Sequence, residues 1–169
     1  MKPFDTKKMA ALSVMTATAI AIHGAESMLP VLLPIPGLRL GLSNIVTLAL
    51  LKRYGPKDAA LVLFLRILLA SLLFGQWVSL MYSLGGGICC LAGEILIDRI
   101  LAGKRLFLTS AFGGVLHNAG QLAVARLILK SPGVWVYLPY LILGGILTGL
   151  FVGFASGFLL RLLPRQEGY

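Results

Sequence analysis

Two clusters in this chain combine residue types that can capture a polar solute. His23 and Glu26 stand three residues apart, which places an imidazole and a carboxylate on one face of a helix. His117, Asn118 and Gln121 form a second polar cluster, with His117 and Gln121 four residues apart. Arg39, Ser43 and Asn44 lie between the two in sequence, just after a proline-rich stretch. Together they offer a guanidinium, a carboxylate, two imidazoles, a hydroxyl and three amides. That inventory suits recognition by hydrogen bonds and charge better than bond cleavage. All of these residues sit among apolar neighbours. An ionisable group at the centre of a membrane helix costs roughly 2.5–3.5 kcal/mol on insertion scales, so each is a functional candidate.

Catalytic signatures are missing. The chain has no GxxxxGK[ST] phosphate loop and no HExxH. Asp5, Asp58 and Asp98 are isolated, and no DxxD pair could hold the magnesium that ionises an allylic diphosphate. Cys89 and Cys90 are adjacent inside an apolar stretch, with no CxxC or Cys/His spacing, and read as packing residues. No catalytic residue, metal set or cofactor is expected.

The elements that position these residues follow from composition. Of 169 residues, 58% are hydrophobic and 12% charged, and the mean hydropathy is +0.92. Soluble domains carry about 25% charged residues, so a water-soluble globule is excluded. The net charge of +9 fits basic residues flanking membrane spans. It does not point to nucleic acid, because no basic run carries interleaved aromatics. The expected fold is an all-α integral membrane protein, a single domain over 1–169 with six transmembrane helices. The spans are read at about 9–29, 38–51, 59–74, 77–97, 106–129 and 134–160, with an irregular connection over 30–37 that contains Pro30, Pro34 and Pro36. A cleaved signal peptide is the rival reading of the first stretch. His23 and Glu26 would be odd near a cleavage site, and the loss would leave five spans.

With both termini cytoplasmic, Lys2, Lys7, Lys8, Lys52, Arg53, Lys57, Arg99, Lys104, Arg105, Arg161 and Arg165 lie inside. Only Arg39 and Lys130 lie at the outer face. That asymmetry sets the expected orientation. It also puts His23, Glu26, Arg39, Ser43, Asn44, His117, Asn118 and Gln121 in one outer depth zone, read as the lining of an outward cavity. The alternative is a buried network that fixes helix packing. Arg66 and Glu94 fall in the inner half on adjacent spans, and are expected to pair.

Two small-residue stripes recur every four residues. Ser13, Ala17, Ala21 and Ala25 mark the first span, and Gly145, Gly149, Gly153 and Gly157 the sixth. Such stripes let helices approach closely. The first is read as a partner-docking surface and the second as a helix-packing seam.

The segments Pro36-Gly37-Leu38-Arg39-Leu40-Gly41-Leu42-Ser43-Asn44 and Gly113-Gly114-Val115-Leu116-His117-Asn118-Ala119-Gly120-Gln121 resemble small bacterial membrane proteins. These are the Gx transporter family, also known as heptaprenyl diphosphate synthase component I. That family is similar in turn to the substrate-binding subunits of energy-coupling factor transporters. The resemblance implies a six-helix bundle in the bacterial cytoplasmic membrane, with an outward ligand pocket closed by the connection after span one. It also implies docking through Ala17-xxx-Ala21 onto a coupling membrane subunit driven by ATPases. The synthase name implies instead a membrane accessory of a soluble prenyl synthase subunit. The small-molecule ligand is left open, and membrane lipid surrounds the chain.

Overall fold

The computed structural model describes residues 6–28, 39–74 and 77–163. The described residues form α1 (Thr6–Ser27), α2 (Asn44–Arg53), α3 (Pro56–Phe74), α4 (Trp77–Ile100), α5 (Leu106–Leu129) and α6 (Leu138–Leu162). A short 3₁₀ helix, Pro132–Tyr137, leads into α6. No strand occurs among them. The proline-rich connection expected over 30–37 lies outside the described residues.

Three segments are long and apolar enough to cross a membrane: Thr6–Ser27, Trp77–Ile100 and Pro132–Leu162. The 24 residues of α4 reach about 36 Å at 1.5 Å per residue, more than the ~30 Å hydrocarbon core. Charge sets α3 apart, with Lys57, Asp58 and Arg66 in 19 residues. His117, Asn118 and Gln121 dilute α5. The helix α2 has only 10 residues and begins at Asn44, later than the span expected from Leu38. Gly41 is the reason. Its φ of +79° breaks any helix there, and its N–H is taken by the Glu26 side chain.

The distribution of polarity is inverted relative to a soluble protein. Phe64, Leu72, Leu73, Trp77, Leu147 and Phe154 are exposed. Asn44, Arg66, Glu94, Thr109, His117 and Gln121 are buried. An apolar rim around an interior that mixes an apolar core with buried polar groups is an arrangement a lipid solvent favours, because those polar groups can bond only within the bundle.

Packing is tightest along α4–α5 and α5–α6. Small residues make this possible. A Cβ on Gly120 would sit 2.5 Å from the Gly85 carbonyl oxygen, so α4 and α5 touch backbone to backbone. On the other side, a Cβ on Gly149 would lie 2.5 Å from the Ser110 carbonyl oxygen and 2.7 Å from Ala111 Cα. Gly145 and Gly153 meet α5 in the same way, and Gly157 faces Leu106 more loosely. The glycine stripe of α6 is therefore filled by α5. The α1 stripe is not filled. Ser13, Ala17, Ala21 and Ala25 are all exposed, while Leu12, Thr16, Ala19, His23 and Glu26 on the other face are buried. The helix α2 sits at the centre, with Val46, Leu48, Ala49 and Leu50 fully buried.

One end of the bundle collects basic groups. Lys8, near the start of α1, pairs with Asp58 at the start of α3 at 2.8 Å. Lys52 pairs with Asp98 near the end of α4 and donates to the Gly103 carbonyl at 3.0 Å. Arg53 donates to the Leu160 and Leu163 carbonyls at the end of α6 at 2.6 and 3.3 Å. The start of α1 and the end of α6 thus share one end. His23, Arg39 and Ser79 mark the other.

Candidate functional site

A polar cleft opens toward that second end, where α1, the start of α2 and α4 meet α5. It is lined by His23, Glu26, Arg39, Gly41, Ser43, Arg66, Ser83, His117 and Gln121, and its cavity volume is about 10 Å³. That is room for about one water molecule, far below the roughly 300–1,000 Å³ of a typical small-molecule site, so a solute must part these side chains to enter.

Glu26 organises the entrance to α2. Its carboxylate accepts the Gly41 N–H at 2.6 Å and the Leu42 N–H at 3.1 Å. The next amides bond within the turn, from Asn44 to the Gly41 carbonyl and from Ile45 to the Leu42 carbonyl. A carboxylate at the start of a helix satisfies orphan donors and complements the helix dipole. Gly41 is required twice over. Its φ is left-handed, and a Cβ would come within 2.8 Å of His117 Nε2 and 2.9 Å of Asn44 Nδ2.

Arg39 bridges three elements. Its backbone N–H donates to Gln121 Oε1 at 3.2 Å. Its Nε donates to Ser79 Oγ at 2.8 Å, and Nη1 to the His23 carbonyl at 3.2 Å. The ring of His23 stacks on Phe74 with centroids 6.3 Å apart. Deeper in, Gln121 Nε2 lies 3.1 Å from His117 Nε2, and His117 Nδ1 lies 3.3 Å from Asn44 Nδ2. Asn44 Oδ1 accepts from Arg66 Nη2 at 3.2 Å. Arg39, Gln121, His117, Asn44 and Arg66 therefore form one file of polar groups, in which a neutral His117 accepts from one of the two flanking amides only. Close approach of α4 keeps it narrow: a Cβ on Gly86 would lie 2.8 Å from both Gln121 Cγ and His117 Cε1.

Of the eight residues read from sequence as pocket lining, His23, Glu26, Arg39, Ser43, His117 and Gln121 border the cleft, and Asn44 binds His117 beside it. Asn118 does not border it. Its Nδ2 donates to the Leu141 carbonyl at 2.8 Å and ties α5 to α6. The reason is angular, since i+1 on a helix is turned by about 100° from His117. Arg66 joins the lining, and its expected ion pair with Glu94 is not formed. Its guanidinium bonds Asn44 instead. Ser83 was missed because a single serine in an apolar helix carries no spacing signal.

The cleft presents two guanidiniums, each bonded to neutral protein groups, and one carboxylate engaged by backbone N–H groups, so its ionised side chains carry a net positive charge. Such a site favours an anionic group over a cation. Among the described residues no group of three or more His, Cys, Asp and Glu could hold a metal ion.

No curated protein and no solved structure matches the chain. A family model for heptaprenyl diphosphate synthase component I matches residues 15–159, which takes in α2 to α5, most of α1 and α6, and every cleft residue. The chain belongs to the heptaprenyl diphosphate synthase component I family.

Proposed function

We propose that the protein is a multi-pass subunit of the bacterial cytoplasmic membrane that binds a small anionic solute from the outer side and passes it inward with a partner's help. The observation that carries this reading is the Arg39-to-Arg66 polar file, buried within a bundle whose outer surface is apolar. In the proposed topology both termini lie inside, so the basic end faces the cytoplasm and the cleft faces out, with the ten-residue α2, about 15 Å long, reaching only about half-way across. The exposed Ser13-Ala17-Ala21-Ala25 stripe supports docking to a coupling membrane subunit with ATPases, as in energy-coupling factor transporters. The chain has no phosphate loop of its own, so ATP-driven movement needs that partner.

A second reading follows from the family description. The chain would be a non-catalytic membrane component of a multi-subunit heptaprenyl diphosphate synthase, working with a soluble prenyl synthase. The two arginines would then hold a diphosphate head group.

The cleft is tested with inorganic diphosphate as probe. Purified protein should gain thermal stability with diphosphate and not with choline. Arg39→Gln should abolish the gain while leaving the unliganded protein folded. Equal stabilisation of the variant would remove the cleft as the anion site.

A further inference from the structure

The outer cleft leaves one deeply buried carboxyl unused. Glu94 is 1% exposed, and neither of its carboxyl oxygens has a hydrogen-bond partner among the described residues. The Cys90 thiol lies close, one turn back on the same helix, outside good hydrogen-bond geometry.

The surroundings come from three other helices. Contacts of α2 with α4 run from Asn44–Cys90 to Lys52–Asp98, both separated by 46 residues. That constant offset makes the two helices parallel and sets Glu94 level with Leu48, beside Thr47. Thr47 stands one turn from Asn44, on the α4-facing side of α2. It is 2% exposed and its hydroxyl is unpartnered. From α5, Gly113 packs directly on the carboxyl, since a Cβ there would lie 2.8 Å from Oε1. Ser110, one turn further along α5, is 1% exposed with an unpartnered hydroxyl, and its Cβ packs toward Gly153 of α6. From α3, Arg66 bonds Asn44 through Nη2 and leaves Nε unpartnered.

The charged and titratable groups around Glu94 are therefore few. They are Arg66 from α3, Lys52 from α2, and Cys90 and Asp98 from α4. The facing turn of α5 presents Gly113, with His117 one turn outward. Lys52 is engaged by Asp98 and the Gly103 carbonyl. An ionised carboxylate with no hydrogen bond is far costlier in such an interior than a neutral carboxylic acid.

We propose that Glu94 is a proton-binding site in the half of the bundle opposite the cleft, exchanging its proton with the basic end past Asp98. Asp98 lies one turn further along the same face of α4, and its side chain is 24% exposed. On release, the carboxyl O–H bond breaks and the electron pair stays on Glu94. The proton passes to water beside Asp98. Arg66, whose Nε–H is unpartnered, then supplies the compensating charge. The Glu94 carboxyl lies outside the cleft lining but shares Arg66 with it, and its protonation is read independently of anion binding.

Infrared spectroscopy of purified protein in lipid nanodiscs tests this. At neutral pH the wild type should show a protonated carboxylic acid band that disappears on raising the pH. Glu94→Gln should lose the band, Glu94→Asp should shift it, and Glu26→Gln should keep it. Glu94→Asp keeps the test decisive if the glutamine variant does not fold. Absence of the band at neutral pH, or its survival unshifted in Glu94→Asp, would overturn the proposal. So would its loss on adding sodium chloride at constant pH, which would make the site one for a metal cation.

Discussion

Glu26 and Asn118 show how similar polar residues in similar surroundings do different work. Glu26 holds two consecutive backbone N–H groups and so shapes the start of α2. Hydrogen bonds to a charged group are worth about 1.5–3 kcal/mol each, so losing both in Glu26→Ala should destabilise the protein by about 3–6 kcal/mol. Glu26→Gln should cost less, because its carbonyl still accepts one N–H. Asn118→Ala should lower stability by about 1–2 kcal/mol through loss of the α5–α6 bond, with diphosphate binding unchanged. Detergent melting curves with and without diphosphate check both, and a binding defect in Asn118→Ala would place that residue back in the cleft. Much of the site was legible at this scale, because polar residues in apolar helices stand out. The face of Asn118 was also readable from the helical period. Arg66 was not. Counting depth along a helix locates its Cα, but a long side chain carries its guanidinium several ångströms further.

At the scale of elements, the two small-residue stripes look alike in sequence and differ in the fold. The α6 glycines are filled by the α5 backbone. The α1 stripe is exposed among the described residues. Gly149→Leu should therefore cost about 1–3 kcal/mol or more, since its side chain must displace the backbone at Ser110 and Ala111. Ala21→Leu should change stability by no more than about 0.5 kcal/mol. It should nevertheless prevent a partner from docking. Melting temperatures and co-purification read the two effects separately, and a large stability loss in Ala21→Leu would mean the stripe is packed. Spacing alone predicted both grooves but could not say which was occupied, because that depends on long-range contacts. The late start of α2 was likewise hidden. It follows from a glycine conformation and from a tie to Glu26, 15 residues away in sequence.

For the whole molecule, composition already excluded a water-soluble globule, and the helices add an apolar exterior around a polar interior. The alternation of Lys8, Lys52, Arg53 and Asp98 at one end with His23, Arg39 and Ser79 at the other fits helices that run back and forth. The cleft and the Glu94 site then lie toward opposite ends of one polar column. The partner is the part no intramolecular contact can reveal. Purification from native membranes in mild detergent, followed by mass spectrometry of the bound proteins, tests the central claim most directly. The transporter reading predicts ATPases together with a coupling membrane subunit, both lost in Ala21→Leu. A soluble prenyl synthase in their place would contradict it and assign the chain to the synthase as its membrane component.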